Sequence, residues 1–421
     1  MGMNDPGDPA NPLQGLLGDL LKMIGSAPGG ATPWMDAARS LAHGVATDNA
    51  PESNADPIGR IKLEELARVA ELHVAEATGL AVGSGEHPVT FVPVGRGAWA
   101  LRILDTWKPV IEGMVASQGG APALPLGALG LDDEESGADG LGEILGQFNA
   151  TMGPVLIGLQ FGSAAGHLAQ RALGQYALPM PWPPSDELLV VPDNIAVFAG
   201  DWSLPVDETE LWMCIHELTA HAVLTRPHVA DRIRRLLAAA TEEAGEAQAG
   251  LADRLSGGVD PEALQHLLSD PEALLADLLT PGQRRTSAQL LAVTTAVGGY
   301  VDHVTATVAG TLTGNPAALT EAWYRHRVAD AKGEQAAGAL FGIDLSREQV
   351  DRGAAFTRGV VERAGEEGLA RLWESARTLP TPAELDAPGL WLERISLSEP
   401  DDGVDDDPGP GPGGEPGATG D

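Results

Sequence analysis

Trp212-Met213-Cys214-Ile215-His216-Glu217-Leu218-Thr219-Ala220-His221 is the stretch on which the reading of this chain turns. The pattern His-Glu-x-x-His on a helix presents two imidazoles to a zinc ion on one face, with the Glu as general base. Here the second imidazole arrives one residue late. A helix advances ~100° per residue, so a step of four leaves two side chains ~40° apart and a step of five leaves them ~140° apart. His216 and His221 can share a metal only if a π-bulge absorbs the extra residue. Otherwise the segment is a metal site that has lost its metal.

Working outward, Asp207 is placed to cap the motif helix, with Glu208 and Glu210 favoured in its first turn. The apolar runs at residues 188–191 and 195–198 are the best strand candidates in the chain. Helices are expected at residues 57–78, with Ile61, Leu66, Val69, Leu72 and Val74 as the core face, and at 99–115 with a bend at Pro109. Residues 141–174 are apolar and carry Gly153, Gly158, Gly162 and Gly166, and read as two close-packed helical stretches bending near Pro154. Further helices are expected at 230–246, 261–267, 271–279 and 287–310, and several between 347 and 395. Residues 13–24 have apolar residues at helical spacing.

These elements make the fold mainly α, with a small β element beside the motif helix. They divide the chain into a loosely ordered segment at 1–29, one domain at 30–398 with a loop insertion near 118–140, and an acidic tail at 399–421. The tail is Asp, Gly and Pro almost throughout and cannot bury enough apolar surface to offset its ordering entropy.

Composition narrows the function classes. The chain has 421 residues, 43% of them hydrophobic, which suffices for a large core. Sixty acids against 26 bases give a formal charge of −34, which repels nucleic acid and anionic membranes. Arg234 and Arg235 are too small a basic spot to reverse that. Cys214 is the single cysteine, so no intramolecular disulfide forms, and its apolar neighbours describe a buried, inert thiol. The first residues lack the basic start and apolar core of a signal peptide, and no apolar run is long enough to span a bilayer. The expected location is the cytoplasm. His167 is expected in the core, His228 at a helix start, and Tyr300 either packed or beside a site.

Several segments together resemble one family. They are the motif stretch, residues 194–202, Met152-Gly153-Pro154-Val155-Leu156-Ile157-Gly158-Leu159-Gln160, Leu372-Trp373-Glu374-Ser375, and Leu379-Pro380-Thr381-Pro382-Ala383-Glu384-Leu385-Asp386. In that order they resemble the bacterial zincin-like metallopeptidases of type 2. Some members of that family are labelled hydrolases or associated with deazaflavin coenzyme biosynthesis. The resemblance covers most of residues 30–397 and implies a mainly α fold with a small sheet against the motif helix.

It also implies a site. The family's first zinc His corresponds to His216 and its general base to Glu217. Its second His falls on Ala220 and its third ligand, a Glu before a Gly-Tyr or Gly-His pair that resembles Gly299-Tyr300 here, on Gly298, and neither residue has a donor atom. A catalytic zinc takes three protein donors and an open water position. Two readings follow. In one, the chain is a metal-poor or inactive relative that binds a peptide or protein. In the other, it is an active zinc hydrolase with a rebuilt site, using His216, His221 and Asp302 or His303, with Glu217 as the catalytic base.

Overall fold

The computed structural model describes residues 33–52, 57–83, 88–118, 138–256, 280–328 and 332–397. The expectations for residues 1–29, 13–24, 261–267, 271–279 and 399–421, and for most of the 118–140 loop, lie outside these residues.

The motif lies on helix α6 (Val206–Leu224). Every residue from 212 to 224 is buried, so this is a core helix, apolar all round apart from its few polar motif groups. It packs between α2 (Pro57–Thr78), α5 (Pro192–Asp201) and α8 (Pro281–Leu312). The expected cap does not form. Pro205 is the N-cap residue and Asp207 lies inside the first turn, where it and Glu210 hold Lys62 of α2.

The face of α2 also differs from expectation. Leu63, Ala67, Ala70 and Val74 are buried, whereas Ile61, Val69 and Leu72 are exposed. Which face is buried is set by the neighbours the helix packs against, α6 among them, rather than by side-chain size.

Two strands, β1 (Thr90–Pro93) and β2 (Glu187–Val190), pair in parallel with Phe91 opposite Leu188. The first strand candidate is thus confirmed with a shift of one residue, and its partner is a strand too short to show alternation. The second candidate is corrected: residues 195–198 lie in α5, not in a strand. Pro192 near the start of α5 supplies a φ suited to a helix, and Asn194, Ile195, Phe198 and Ala199 are its buried residues, at helical spacing.

The apolar stretch in the middle of the chain forms one helix, α4 (Ala138–Ala169), with Pro154 inside it, rather than two. Gly158, Gly162 and Gly166 face α1 (Pro33–Thr47). A Cβ on Gly158 would stand 2.4 Å from the carbonyl oxygen of Trp34, and one on Gly162 would stand 2.4 Å from that of Ala38. The backbones are in contact, which explains the four-residue Gly spacing without a membrane. No helix among the described residues is long and apolar enough to cross one.

The remaining helices complete the bundle. They are α3 (Arg96–Gln118), α7 (Pro227–Ser256), α9 (Pro316–Val328), α10 (Lys332–Leu340), α11 (Arg347–Ala370), α12 (Pro382–Asp386) and α13 (Pro388–Leu397). A second glycine contact joins α8 to α11, where a Cβ on Gly299 would meet the Gly353 carbonyl oxygen at 2.3 Å. The C-terminal motif segments are structural. Trp373 is buried against Tyr300, Trp391 Nε1 donates to the Thr378 carbonyl at 2.7 Å, and Arg394 pairs with Glu384. Tyr300 is therefore a packing residue, and His167 is exposed, contrary to the expectation of a core position.

Candidate functional site

Beyond α4 the chain turns through residues 170–176 before reaching β2, and this strap is what shapes the site. Asn194 of α5 anchors it, donating to the carbonyls of Ala169 and Ala172 at 2.9 and 2.7 Å and accepting from Arg96 Nε at 2.6 Å. Val191 N donates to the Leu173 carbonyl at 3.0 Å, Leu189 N to Gln175 Oε1 at 3.2 Å, and Trp99 Nε1 to the Gly174 carbonyl at 3.0 Å. Held this way, the strap runs along the motif face of α6. The backbone N–H of Tyr176 donates to Glu217 Oε2 at 2.9 Å. Gly174 is required here, because a Cβ would stand 2.3 Å from Glu217 Cδ.

Between the strap, α6, α8 and α9 lies a cleft, open at its mouth. His216 and Glu217 line it, and so do Ala220 and Gly298. The fold therefore brings to one place the four positions that resemblance assigned to the family's site. Within it, His216 Nδ1 is 3.3 Å from Glu217 Oε1. The imidazole is stacked on Trp212 at a centroid distance of 5.6 Å and meets Trp323 edge-on at 4.8 Å. Two indoles thus set its orientation.

The other sequence candidates are elsewhere. α6 is α-helical throughout, with no π turn. His221 is absent from the cleft wall, and its Nδ1 is 2.9 Å from the Tyr176 hydroxyl. Burial pushes His221 down to about 4, against the opposing charge of Asp186. Burial also holds the Tyr176 phenol protonated, so this neutral pair shares one hydrogen bond. Asp302 is ion-paired to Arg327 and accepts from Trp323 Nε1 at 3.2 Å. His303 is partly exposed and bonds Glu366 at 2.9 Å. Among the described residues no group of three or more His, Cys, Asp or Glu side chains is disposed to hold a metal ion. Cys214 is fully buried, and burial, then the Glu210 and Glu217 charges, push its thiol far up, which suits the inert reading.

Sequence reasoning missed the cleft's cations. Arg171 on the strap and Arg327 on α9 both line it, with His326 beside them. Arg171 donates to the His326 carbonyl at 2.6 Å. Burial first, and then the Arg171 charge, push His326 down to about 4, so its ring is neutral at pH 7. A signal existed: Arg171 is the only Lys or Arg between Lys108 and Arg226, and Arg325-His326-Arg327 is a basic triplet in an acidic chain.

The family described as zincin-like metallopeptidase matches residues 34–392. Among solved structures, the fold is similar to a protein from Chloroflexus aurantiacus described as "a putative hydrolase with a novel fold". The TM-score is 0.59 at 22% identity, covering 87% of this chain and 99% of that one. No curated protein matches.

Proposed function

Because the chain belongs to the zincin-like metallopeptidase family, which matches it over residues 34–392, we propose that it is a metal-poor member whose cleft binds a peptide or protein segment. One observation carries this reading: Ala220 and Gly298 stand in the same cleft as His216 and Glu217, and neither can donate to a metal. Two protein groups on one helix are fewer than a catalytic zinc takes. This donor set does not fit the ion.

The site is organised to hold a ligand rather than to activate water. Glu217 is committed to the Tyr176 amide and lies against His216, and His216 is wedged between Trp212 and Trp323. Preset side chains lose little entropy when a ligand docks. The alternative, an active zinc hydrolase built on His216, His221 and Asp302 or His303, has less support. It would have to break the Tyr176–His221 hydrogen bond and either the Asp302–Arg327 or the His303–Glu366 pair.

Metal content decides between them. Purified protein dialysed against a weak chelator is expected to hold well under one zinc per chain. Ala220→His together with Gly298→Glu is expected to raise that value, since a Cβ at Gly298 meets nothing closer than Arg327 at 3.4 Å. Stoichiometric zinc in the wild type, lost on His221→Ala, would overturn the reading and restore Glu217 as general base.

A further inference from the structure

We propose that the cleft is a carboxylate site: Arg171 and Arg327 together bind the carboxylate of a peptide C-terminus or of an N-acylated amino acid whose apolar side chain packs on the adjoining wall. The peptide form of this proposal rests on the reading above.

The residues come from distant parts of the chain. In a protein of net charge −34, the strap brings the only Lys or Arg between residues 108 and 226 into the same cleft as Arg327 of α9. Arg327 is oriented from one side. Its Nη1 bonds Asp302, which is itself fixed by the Trp323 indole. Its Nη2 lies 3.4 Å from where a Gly298 side chain would begin, so the missing side chain leaves that nitrogen facing the cleft. The guanidinium thus stands over Gly298, which places no side chain between it and the cleft. A planar fork of N–H donors suits the two oxygens of an incoming carboxylate.

The rest of the lining agrees. His326 lies against Arg171 and is neutral at pH 7, so it adds no charge. Glu217, the anion facing the cleft from α6, is engaged by the Tyr176 amide and His216, which limits its repulsion of a second carboxylate. Leu224, Val297 and Val301 supply an apolar wall, which a free phosphate could not use.

The test is calorimetric titration with N-acetylleucine and its amide, with acetyl-Ala-Ala-Leu as free acid and as amide, and with inorganic phosphate. The free acids are expected to bind at least about tenfold more tightly than the amides, the size of one charge-assisted hydrogen bond. Arg327→Gln should abolish that preference and Arg327→Lys should keep part of it. Gly298→Glu should also abolish it by supplying an internal carboxylate, and its melting temperature separates a blocked site from a misfolded one. Equal binding of acid and amide forms would overturn the carboxylate assignment while leaving peptide binding intact. Binding of N-acetylleucine without either peptide would support the site and remove the peptide reading. Phosphate binding more tightly than N-acetylleucine, or no binding by any probe, would overturn the proposal.

Discussion

His221 shows what one buried side chain does to the stability of this protein. Its folded pKa is about 4, below the ordinary value of 6.5, so between those limits the unfolded chain binds a proton that the native chain refuses. The associated stability is complete above pH 6.5 and is lost as the pH falls towards 4. The shift corresponds to about 3 kcal/mol at its limit, from roughly 1.4 kcal/mol per unit. His221→Asn keeps an acceptor within reach of the Tyr176 hydroxyl but cannot titrate. Urea midpoints measured from pH 4 to pH 7 should fall more steeply in the wild type than in the variant. Parallel curves would mean that His221 is accessible to protons in the native state. The neighbouring residues His216 and Glu217 were legible as site candidates only through the incomplete His-Glu-x-x-His pattern and the ordered segments that resemble one family, since a His-Glu pair on a helix is by itself an ordinary occurrence. Arg171 and Arg327 were not, because nothing in a linear chain indicates that two cations 156 positions apart meet in one cleft.

At the scale of elements, two glycines make opposite predictions under the same substitution. Alanine in a helix interior is favoured over glycine by about 1 kcal/mol. At Gly162 the added methyl would stand 2.4 Å from the Ala38 carbonyl oxygen, and forced overpacking costs about 1–3 kcal/mol. The cost exceeds the gain, so Gly162→Ala should destabilise the protein. At Gly310, near the end of α8, nothing lies within 4 Å, and Gly310→Ala should stabilise it by some tenths of a kcal/mol. Chemical denaturation of the two variants side by side checks both signs. Stabilisation at Gly162 would mean that α1 and α4 are not in backbone contact. The helical character of this region was legible from its apolar composition and small-residue spacing. The partner helix was not, since α1 lies over a hundred residues earlier.

For the whole molecule, 34 uncompensated negative charges make self-repulsion a standing cost of the compact state. Salt screens that repulsion over a Debye length of about 10 Å at 0.1 M. The exposed ion pairs that salt also weakens contribute little, about 0–1 kcal/mol each. The melting temperature should therefore rise by a few degrees, on the order of 1 kcal/mol, as sodium chloride increases from about 10 to 300 mM. A fall would show that ion pairs such as Lys62 with Asp207 and Glu210 outweigh the global repulsion.

The sequence by itself determined the helical class, the motif helix and its His-Glu pair, and that Ala220 and Gly298 carry no donor atom. These are local properties, read from periodicity, from side-chain chemistry and from the ordered segments that resemble one family. It misread residues 195–198 as a strand, because a short apolar run has no period long enough to separate strand from helix, and Pro192 was the deciding residue. It also chose the larger apolar residues of α2 as the buried face, because hydrophobicity does not say how near a neighbour stands. Only the tertiary structure decided those distances. It set the strap at residues 170–176 against Glu217, sent His221 to Tyr176, and brought Ala220, Gly298, Arg171 and Arg327 to one cleft. Each of these is a contact between segments far apart in the chain, and such contacts follow from how the whole core packs rather than from any window of residues.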